Sequence, residues 1–200
     1  MSLMSRGLLI ALVLVVLVGG IAVWAVSVNN QLVRLDQDVN EKWAQVQNVY
    51  QRRADLVPNL VETVKGFAAQ ERTVLEEVTK ARASASSIQL TPEALKDPKA
   101  LQKFQEAQSQ LSGALSRLLV TIERYPDLKS NQNFLALESQ LEGTENRITV
   151  ERRKFNESVR DYNTRLRLFP GSLIAGFSGY QPRPFFEAAP DAATAPKVKF

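Results

Sequence analysis

Three glutamates in the C-terminal half have the spacing most suggestive of a reactive site. Glu138, Glu142 and Glu145 stand four and three residues apart, so on a helix their carboxylates share one side. Such a group could bind a metal ion, or act as the acid and base of a glycoside hydrolase. Di-iron sites in helical bundles, however, use Glu-x-x-His motifs, and this chain of 200 residues has no histidine. We therefore interpret the glutamates as structural and predict no metal and no cofactor.

The composition excludes several other classes of function. Without histidine or cysteine, the chain has no Ser-His-Asp or Cys-His nucleophile system and no zinc site of the usual type. The net charge of +4 is small, and neither an aromatic platform nor a glycine-rich phosphate loop accompanies it. We therefore predict a protein that is not an enzyme, with no nucleic-acid partner and no small-molecule substrate.

Several charged residues fall at or beside core positions of the predicted helices. Arg53 falls at a core-facing position of the first long helix, and Glu145 and Arg152 fall at core-facing positions of the last. Because an unpaired buried charge is costly, we predict that Arg53 or Asp55 pairs across the bundle with Glu142 or Glu145. The predicted buried ion-pair network comprises Arg53, Asp55, Glu142, Glu145 and Arg152. Its expected role is to fix the helix register, with little net gain in stability.

A stripe of arginines is the second charged feature. Arg153, Arg160 and Arg167 recur every seventh residue, within a stretch 147–167 that holds seven Lys/Arg and three Asp/Glu. A solvated face with local ion pairs is the favoured interpretation. The alternative is a surface that binds anionic lipid or an acidic partner.

The elements that position these residues begin with an apolar segment. Residues 7–28 carry no charge and would form about 33 Å of helix, which matches a hydrocarbon core of about 30 Å. We predict a single-pass transmembrane helix that contacts the bilayer through residues 7–28; a cleaved signal peptide is the alternative. The short basic N-terminal tail favours an inner-membrane protein with its domain on the periplasmic side, although Arg34 and Lys42 nearly balance it.

Beyond residue 28, apolar residues recur every three or four positions, which predicts helices and no strands. Pro58 predicts a kink or break near residues 54–58, and Gly66 loosens the following turn. Asp97 before Pro98 predicts the start of a new helix, and a last helix is predicted over about 131–169.

The predicted fold is all-α: a transmembrane helix followed by an elongated antiparallel up-and-down helical bundle. We favour the four-helix type, which requires a break at Pro58 or Gly66; without one, the bundle has three long helices. The predicted divisions are an N-terminal tail and transmembrane helix at 1–28, the bundle at 29–170, a Gly/Pro/aromatic segment at 171–187 that packs on the bundle, and a disordered tail at 188–200. Contact with the membrane interface or a partner is the alternative for 171–187.

Two long stretches resemble a known family. Residues 39–71 read VNEKWAQVQNVYQRRADLVPNLVETVKGFAAQE, and residues 125–170 include YPDLKSNQNFLALESQLEGTENRITVERRKF. Together with the tail GYQPRPFFEA, they closely resemble the LemA family of bacterial membrane proteins. The resemblance implies a single-pass inner-membrane protein with an antiparallel helical bundle, and it implies no reaction.

These observations lead to one favoured function and two alternatives. The favoured function is a non-enzymatic, membrane-anchored helical scaffold or assembly protein of the bacterial cell envelope, which associates with itself or with envelope proteins. The first alternative is direct binding or remodelling of a membrane of anionic lipid. The least favoured is a carboxylate-dependent hydrolase that uses Glu138, Glu142 or Glu145.

Overall fold

A computed structural model describes the backbone of residues 3–187 and the side chains of residues 7–187. The predicted disordered tail, 188–200, lies outside the described residues. Within them, the chain forms helices and no strands. The helices are α1 (Leu3–Phe67), α2 (Arg72–Ser87), α3 (Pro98–Ile122), α4 (Pro126–Lys129), α5 (Gln132–Arg167) and α6 (Gly171–Ser178), with a 3-10 turn at Ala94–Lys96. The predicted all-α bundle is confirmed.

The helix α1 is one uninterrupted element with two parts of different character. Its N-terminal part contains the apolar run, with a mean hydropathy of 3.0 and side chains that are not covered by the rest of the protein, so it is a candidate membrane span. Its C-terminal part enters the bundle, where Val28, Leu32 and Val39 are buried. No loop separates the candidate span from the bundle.

Four helices build the bundle: the C-terminal part of α1, then α2, α3 and α5. The helix α1 packs mainly against α5 and α2, and α2 packs against α3. Local signals explain the helix starts. The Asp97 carboxylate accepts a hydrogen bond from the Lys99 amide, directly before α3, and the Asn131 side chain accepts from Asn133 and Phe134 at the start of α5.

The first long helix breaks after Gly66 and not at Pro58. The prediction of a break near residues 54–58 is wrong, because α1 remains helical through Pro58 to Phe67. A proline cannot donate to the carbonyl four residues earlier, which here is Ala54. The Arg82 side chain of α2 fills this gap: its Nε donates to the Ala54 oxygen at 2.7 Å. A neighbouring helix therefore satisfies the carbonyl that Pro58 leaves free.

The core consists of two hydrophobic clusters stacked along the bundle. The cluster nearer the candidate span is rich in aromatic side chains, with the Trp43 ring centroid 5.3 Å from Phe104 and 5.7 Å from Phe155. The distal cluster is mostly aliphatic and includes Leu60, Leu111 and Leu118. The residues at every seventh position of α5 from Phe134 to Tyr162 are buried, whereas Phe169, seven residues further and beyond the end of α5, is 74% exposed.

Residues 179–187 form an extended C-terminal strap that lies along the bundle. Asn163 exchanges two hydrogen bonds with the backbone of Arg183, and Asn156 exchanges two with the backbone of Phe186. The two asparagines are about 10.5 Å apart along α5, and three extended residues span about 10 Å, so the spacings match. The Phe186 ring then packs on Trp43 in the core.

A buried ion pair holds the same strap. Arg183 is 3% exposed, and its guanidinium donates to Asp36 of α1 at 2.7 and 3.0 Å and to the Pro92 carbonyl at 2.9 Å. Tyr162 donates its hydroxyl to the Gln181 carbonyl beside this pair, at 3.1 Å. Burial, together with the charge of Asp36, raises the pKa of the Tyr162 hydroxyl to about 12, and Arg183 opposes part of that rise.

We predict that Arg82 stabilises the bundle in large part because Pro58 leaves the Ala54 carbonyl free. Arg82→Met should lower the free energy of unfolding by about 1–2 kcal/mol, since the Ala54 carbonyl loses a charged donor. In a Pro58→Ala background, the new amide at residue 58 can donate to Ala54, so Arg82→Met should cost about 1 kcal/mol less. Urea unfolding of the four variants measures this coupling, and equal costs in both backgrounds would contradict it.

We also predict a pH dependence that is specific to Tyr162. Because its folded pKa of about 12 lies above the ordinary value of about 10, the neutral phenol stabilises the fold fully below pH 10. This contribution is lost as the pH rises towards 12. The stability advantage of the natural protein over Tyr162→Phe should therefore shrink between pH 10 and 12. Urea titrations at several pH values test this, and a constant difference would refute it.

Candidate functional site

A single arginine lies at the boundary between the two hydrophobic clusters. Arg53 of α1 is 2% exposed, and its hydrogen-bond partners among the described residues come from other helices. One terminal nitrogen donates to Glu145 at 2.9 Å and to Ser112 at 2.7 Å. The other donates to the side-chain and backbone oxygens of Gln108 at 2.7 and 3.2 Å. The guanidinium also lies 5.1 Å from the centre of the Tyr50 ring.

This polar layer connects the four helices of the bundle. Arg53 belongs to α1, Gln108 and Ser112 belong to α3, and Glu145 belongs to α5. The Gln108 amide extends the layer to α2, because its nitrogen donates to the Ala85 carbonyl at 3.3 Å. The layer therefore defines how the four helices align along their axes.

The structure brings together only part of the predicted ion-pair network. Arg53 contacts Glu145, one of the expected pairings, but the Glu145 side chain is 53% exposed and does not lie in the core. Asp55 is exposed and accepts from Gln51 on its own helix. Glu142 is exposed as well. The prediction that Asp55 and Glu142 are buried is wrong, because both point away from the interhelical seam.

Arg152 has a different role from the one predicted. It is partly exposed, donates to the Glu187 carbonyl at 2.9 Å and lies 4.8 Å from the centre of the Phe186 ring. Its contacts are therefore with the C-terminal strap, and it makes no ion pair among the described residues. The helix turns its side chain from the seam towards the surface groove that the strap occupies.

The glutamates that suggested chemistry do not converge. Glu145 is occupied by Arg53, and Glu142 is exposed on the same helix. Among the residues that the structure describes, no group of acidic side chains is arranged to hold a metal ion. Glu138, the third of these glutamates, is partly exposed on the same helix.

A small cleft of about 270 Å³ opens beside the polar layer. Its walls carry amide side chains, among them Gln47, Asn48 and Gln89, and its floor includes Tyr50 and Phe104. Tyr50 is the titratable group in this lining, and burial raises its pKa, against the opposing effect of Arg152 and Arg53. These walls can form neutral hydrogen bonds, but at neutral pH they hold no group that readily accepts a proton.

The predicted arginine stripe lies on the surface of α5. Arg153 pairs with Glu157 at 3.8 Å, and Arg160 approaches Asp161 at 3.4 Å. Arg167 is exposed and makes no ion pair within the described part of the chain. The two pairs fit a solvated face, while the end of the stripe nearest the candidate span keeps a cation without such a partner.

Several residues of these contacts were not singled out from the sequence. Gln108 interrupts the apolar row of α3 and is buried. A polar residue at such a position indicates a buried hydrogen-bond partner, which here is Arg53. Asn156 and Asn163 stand seven residues apart on α5, which was the available signal for the strap. Arg183 lies in a segment without helical periodicity, so no pattern predicted its burial.

We predict that Glu145, and not Glu142, contributes to stability through Arg53. Glu145→Gln removes the negative charge beside a buried guanidinium and should lower the free energy of unfolding by about 1–2 kcal/mol. Glu142→Gln makes the same chemical change at an exposed position of the same helix and should cost less than about 0.5 kcal/mol. Urea unfolding at pH 7 measures both, and equal effects would contradict the assignment.

Comparison with known proteins identifies a family but no curated relative. A search against curated protein sequences gives no match. The sequence profile of the LemA family matches residues 42–200, which include the polar layer, the α5 asparagines and the strap. This match covers more than half of the chain and includes the quoted strings except for residues 39–41. The chain therefore belongs to the LemA family.

Proposed function

We propose that the protein is a non-enzymatic helical scaffold of the bacterial cell envelope, anchored in the inner membrane by residues 7–28. The observation that carries the proposal is the continuity of α1, which passes from the candidate span into the bundle without a loop. From residue 28 to residue 67, this helix is about 60 Å long. It would hold the distal end of the bundle at that distance from the bilayer.

The use of the buried polar groups supports a structural role. The Arg53 layer and the Arg183–Asp36 pair both join helices or hold the strap. Catalytic groups are commonly enclosed in a cleft, and the Glu145 carboxylate is instead half exposed and paired with Arg53. These contacts favour a rod that presents surfaces to other molecules.

A groove at the distal end is the surface that we expect to take part in assembly. It has a volume of about 820 Å³ and lies between the end of α1 and α2. Its apolar floor includes Val61, Leu75 and Ala83, and charges of both signs line its rim. The rim residues are Glu62, Lys65, Arg72, Glu76 and Lys80.

The partner that we propose for this groove is a second copy of the chain. Copies anchored in one membrane are held at the same height, so the same residues of neighbouring rods meet at high local concentration. A rim with both signs of charge can pair with the rim of another copy, whereas a rim of one sign would repel it. We place this distal end on the periplasmic side, following the short basic N-terminal tail.

The anchor is tested first, by extraction of native membranes with alkaline carbonate. The full chain should stay with the membranes, and a variant that lacks residues 7–28 should be released. Release of the full chain would contradict the anchor.

We then predict that a photo-crosslinking residue at Ala83 traps a second copy. Ala83 lines the distal groove, whereas Gln102 is exposed on α3 outside it and serves as the matched control. When two differently tagged copies are expressed together, the Ala83 variant should give an adduct of twice the chain mass that carries both tags. An adduct at Gln102 but not at Ala83, or a solubilised full chain of one-chain mass with no adduct, would contradict self-assembly.

A further inference from the structure

The helix α6 presents large apolar side chains to its surroundings. Phe169, just before it, is 74% exposed, and Phe177 is 84% exposed. Leu168 and Leu173 are about half exposed. The segment Gly171–Ser178 contains no charged residue, and serines are its polar side chains. Together with Trp24, these residues form a continuous apolar region, which we call the collar.

Two contacts fix the position of the collar along α1. The Phe169 ring centroid lies 6.1 Å from that of Trp24, and the Tyr180 hydroxyl contacts the Asn29 side chain at 3.4 Å. Trp24 and Asn29 lie on either side of Val28, the last residue of the apolar run. Five residues of helix correspond to about 7.5 Å. The collar therefore lies beside the end of the candidate span, within about one and a half helical turns.

The collar is held firmly by its other side. Gly171 and Ala175 are buried against the bundle, and Ile174 packs on the aromatic-rich core cluster nearer the candidate span. A Cβ atom at Gly171 would lie 2.0 Å from the Arg165 carbonyl oxygen, so α6 approaches the end of α5 closely. Gly179 ends α6 in the left-handed conformation, with φ of 73°, and leads the chain back to the strap. The exposed apolar side chains are thus positioned by the fold.

We propose that the collar inserts into the membrane interface around the end of the transmembrane helix and fixes the bundle against the bilayer surface. This inference rests on the proposed membrane anchor, which places Val28 at the edge of the hydrocarbon. The collar then contacts the boundary between the lipid acyl chains and the headgroups. That boundary accommodates amphipathic aromatic side chains such as Trp24 and Tyr180, and it solvates the apolar side chains of α6.

The charges next to the collar have the arrangement that such an interface requires. Arg167 is exposed and stands two residues before Phe169, so it lies at the expected height of the lipid phosphates. Arg160 stands seven residues, or about 10 Å, further from the bilayer on the same helix. Cationic side chains above an apolar region are the usual pattern of protein segments that lie in the interface. The bundle would therefore contact the bilayer with α6 and with the last turns of α5.

Spin labels at single cysteines test the depth of the collar. The chain has no cysteine, so Phe177→Cys gives one labelling site, and Leu173→Cys gives a second in case the first disturbs folding. Val120→Cys is the matched control, because Val120 is an exposed apolar residue in the distal half of α3. Val15→Cys marks the middle of the span. The full chain is reconstituted in vesicles of phosphatidylcholine and phosphatidylglycerol, and accessibility to oxygen and to a water-soluble nickel complex is measured.

The labels at 177 and 173 should show an oxygen-to-nickel accessibility ratio roughly threefold or more above that at 120, because the nickel complex is excluded from hydrocarbon. A ratio equal to that at 120 would overturn the collar. Protection from both reagents would place the residue in a protein contact and would also overturn it. The label at 15 separates the two proposals. If it is exposed to nickel, the anchor itself is refuted; if it lies in lipid while 177 does not, only the collar is.

Discussion

A guanidinium carries only hydrogen-bond donors, so it can lie in a protein core only where acceptors surround it, and this constraint organises the bundle around Arg53. Its side chain reaches α3 through Gln108 and Ser112 and α5 through Glu145, while Gln108 reaches α2. If one helix slid by a single turn, at least one of these contacts would be lost and a buried charge would be left short of partners. The hydrophobic clusters on either side tolerate small shifts far better, since apolar contacts are not directional.

Satisfaction of polar groups by a neighbouring element recurs through the molecule. Arg82 supplies the donor that Pro58 lacks, two asparagines of α5 supply the partners of the strap backbone, and Arg183 joins the strap to α1. In each case a side chain from one segment forms a hydrogen bond with the backbone of another segment or an ion pair with its charged side chain. The tertiary structure therefore determines whether local features such as a helix with an internal proline are stable.

The same fact explains what could be predicted from the sequence. Helical periodicity depends only on local spacing, so the all-α bundle and the apolar rows followed from it. The position of Arg53 in the helical repeat also identified it as buried, and the repeat offered Glu145 as its ion-pair partner. It failed for Arg152 and for the burial of Glu145, and the alternative pairing residues Asp55 and Glu142 are exposed as well, because small rotations of a helix move a side chain at the edge of a seam into solvent. The break expected near Pro58 is absent because the compensating donor, Arg82, comes from another helix, and no local sequence pattern connects the two.

The unbroken helix from the candidate span to Phe67 also has a mechanical consequence. With the membrane anchor that we propose, this stiff element acts as a lever whose pivot lies at the bilayer. Tilts of transmembrane helices average about 20°, and a change of that size would carry the tip of a 60 Å arm sideways by about 20 Å. Local thinning or thickening of the membrane, which alters tilt, would thus be amplified into a large lateral excursion far from the lipid.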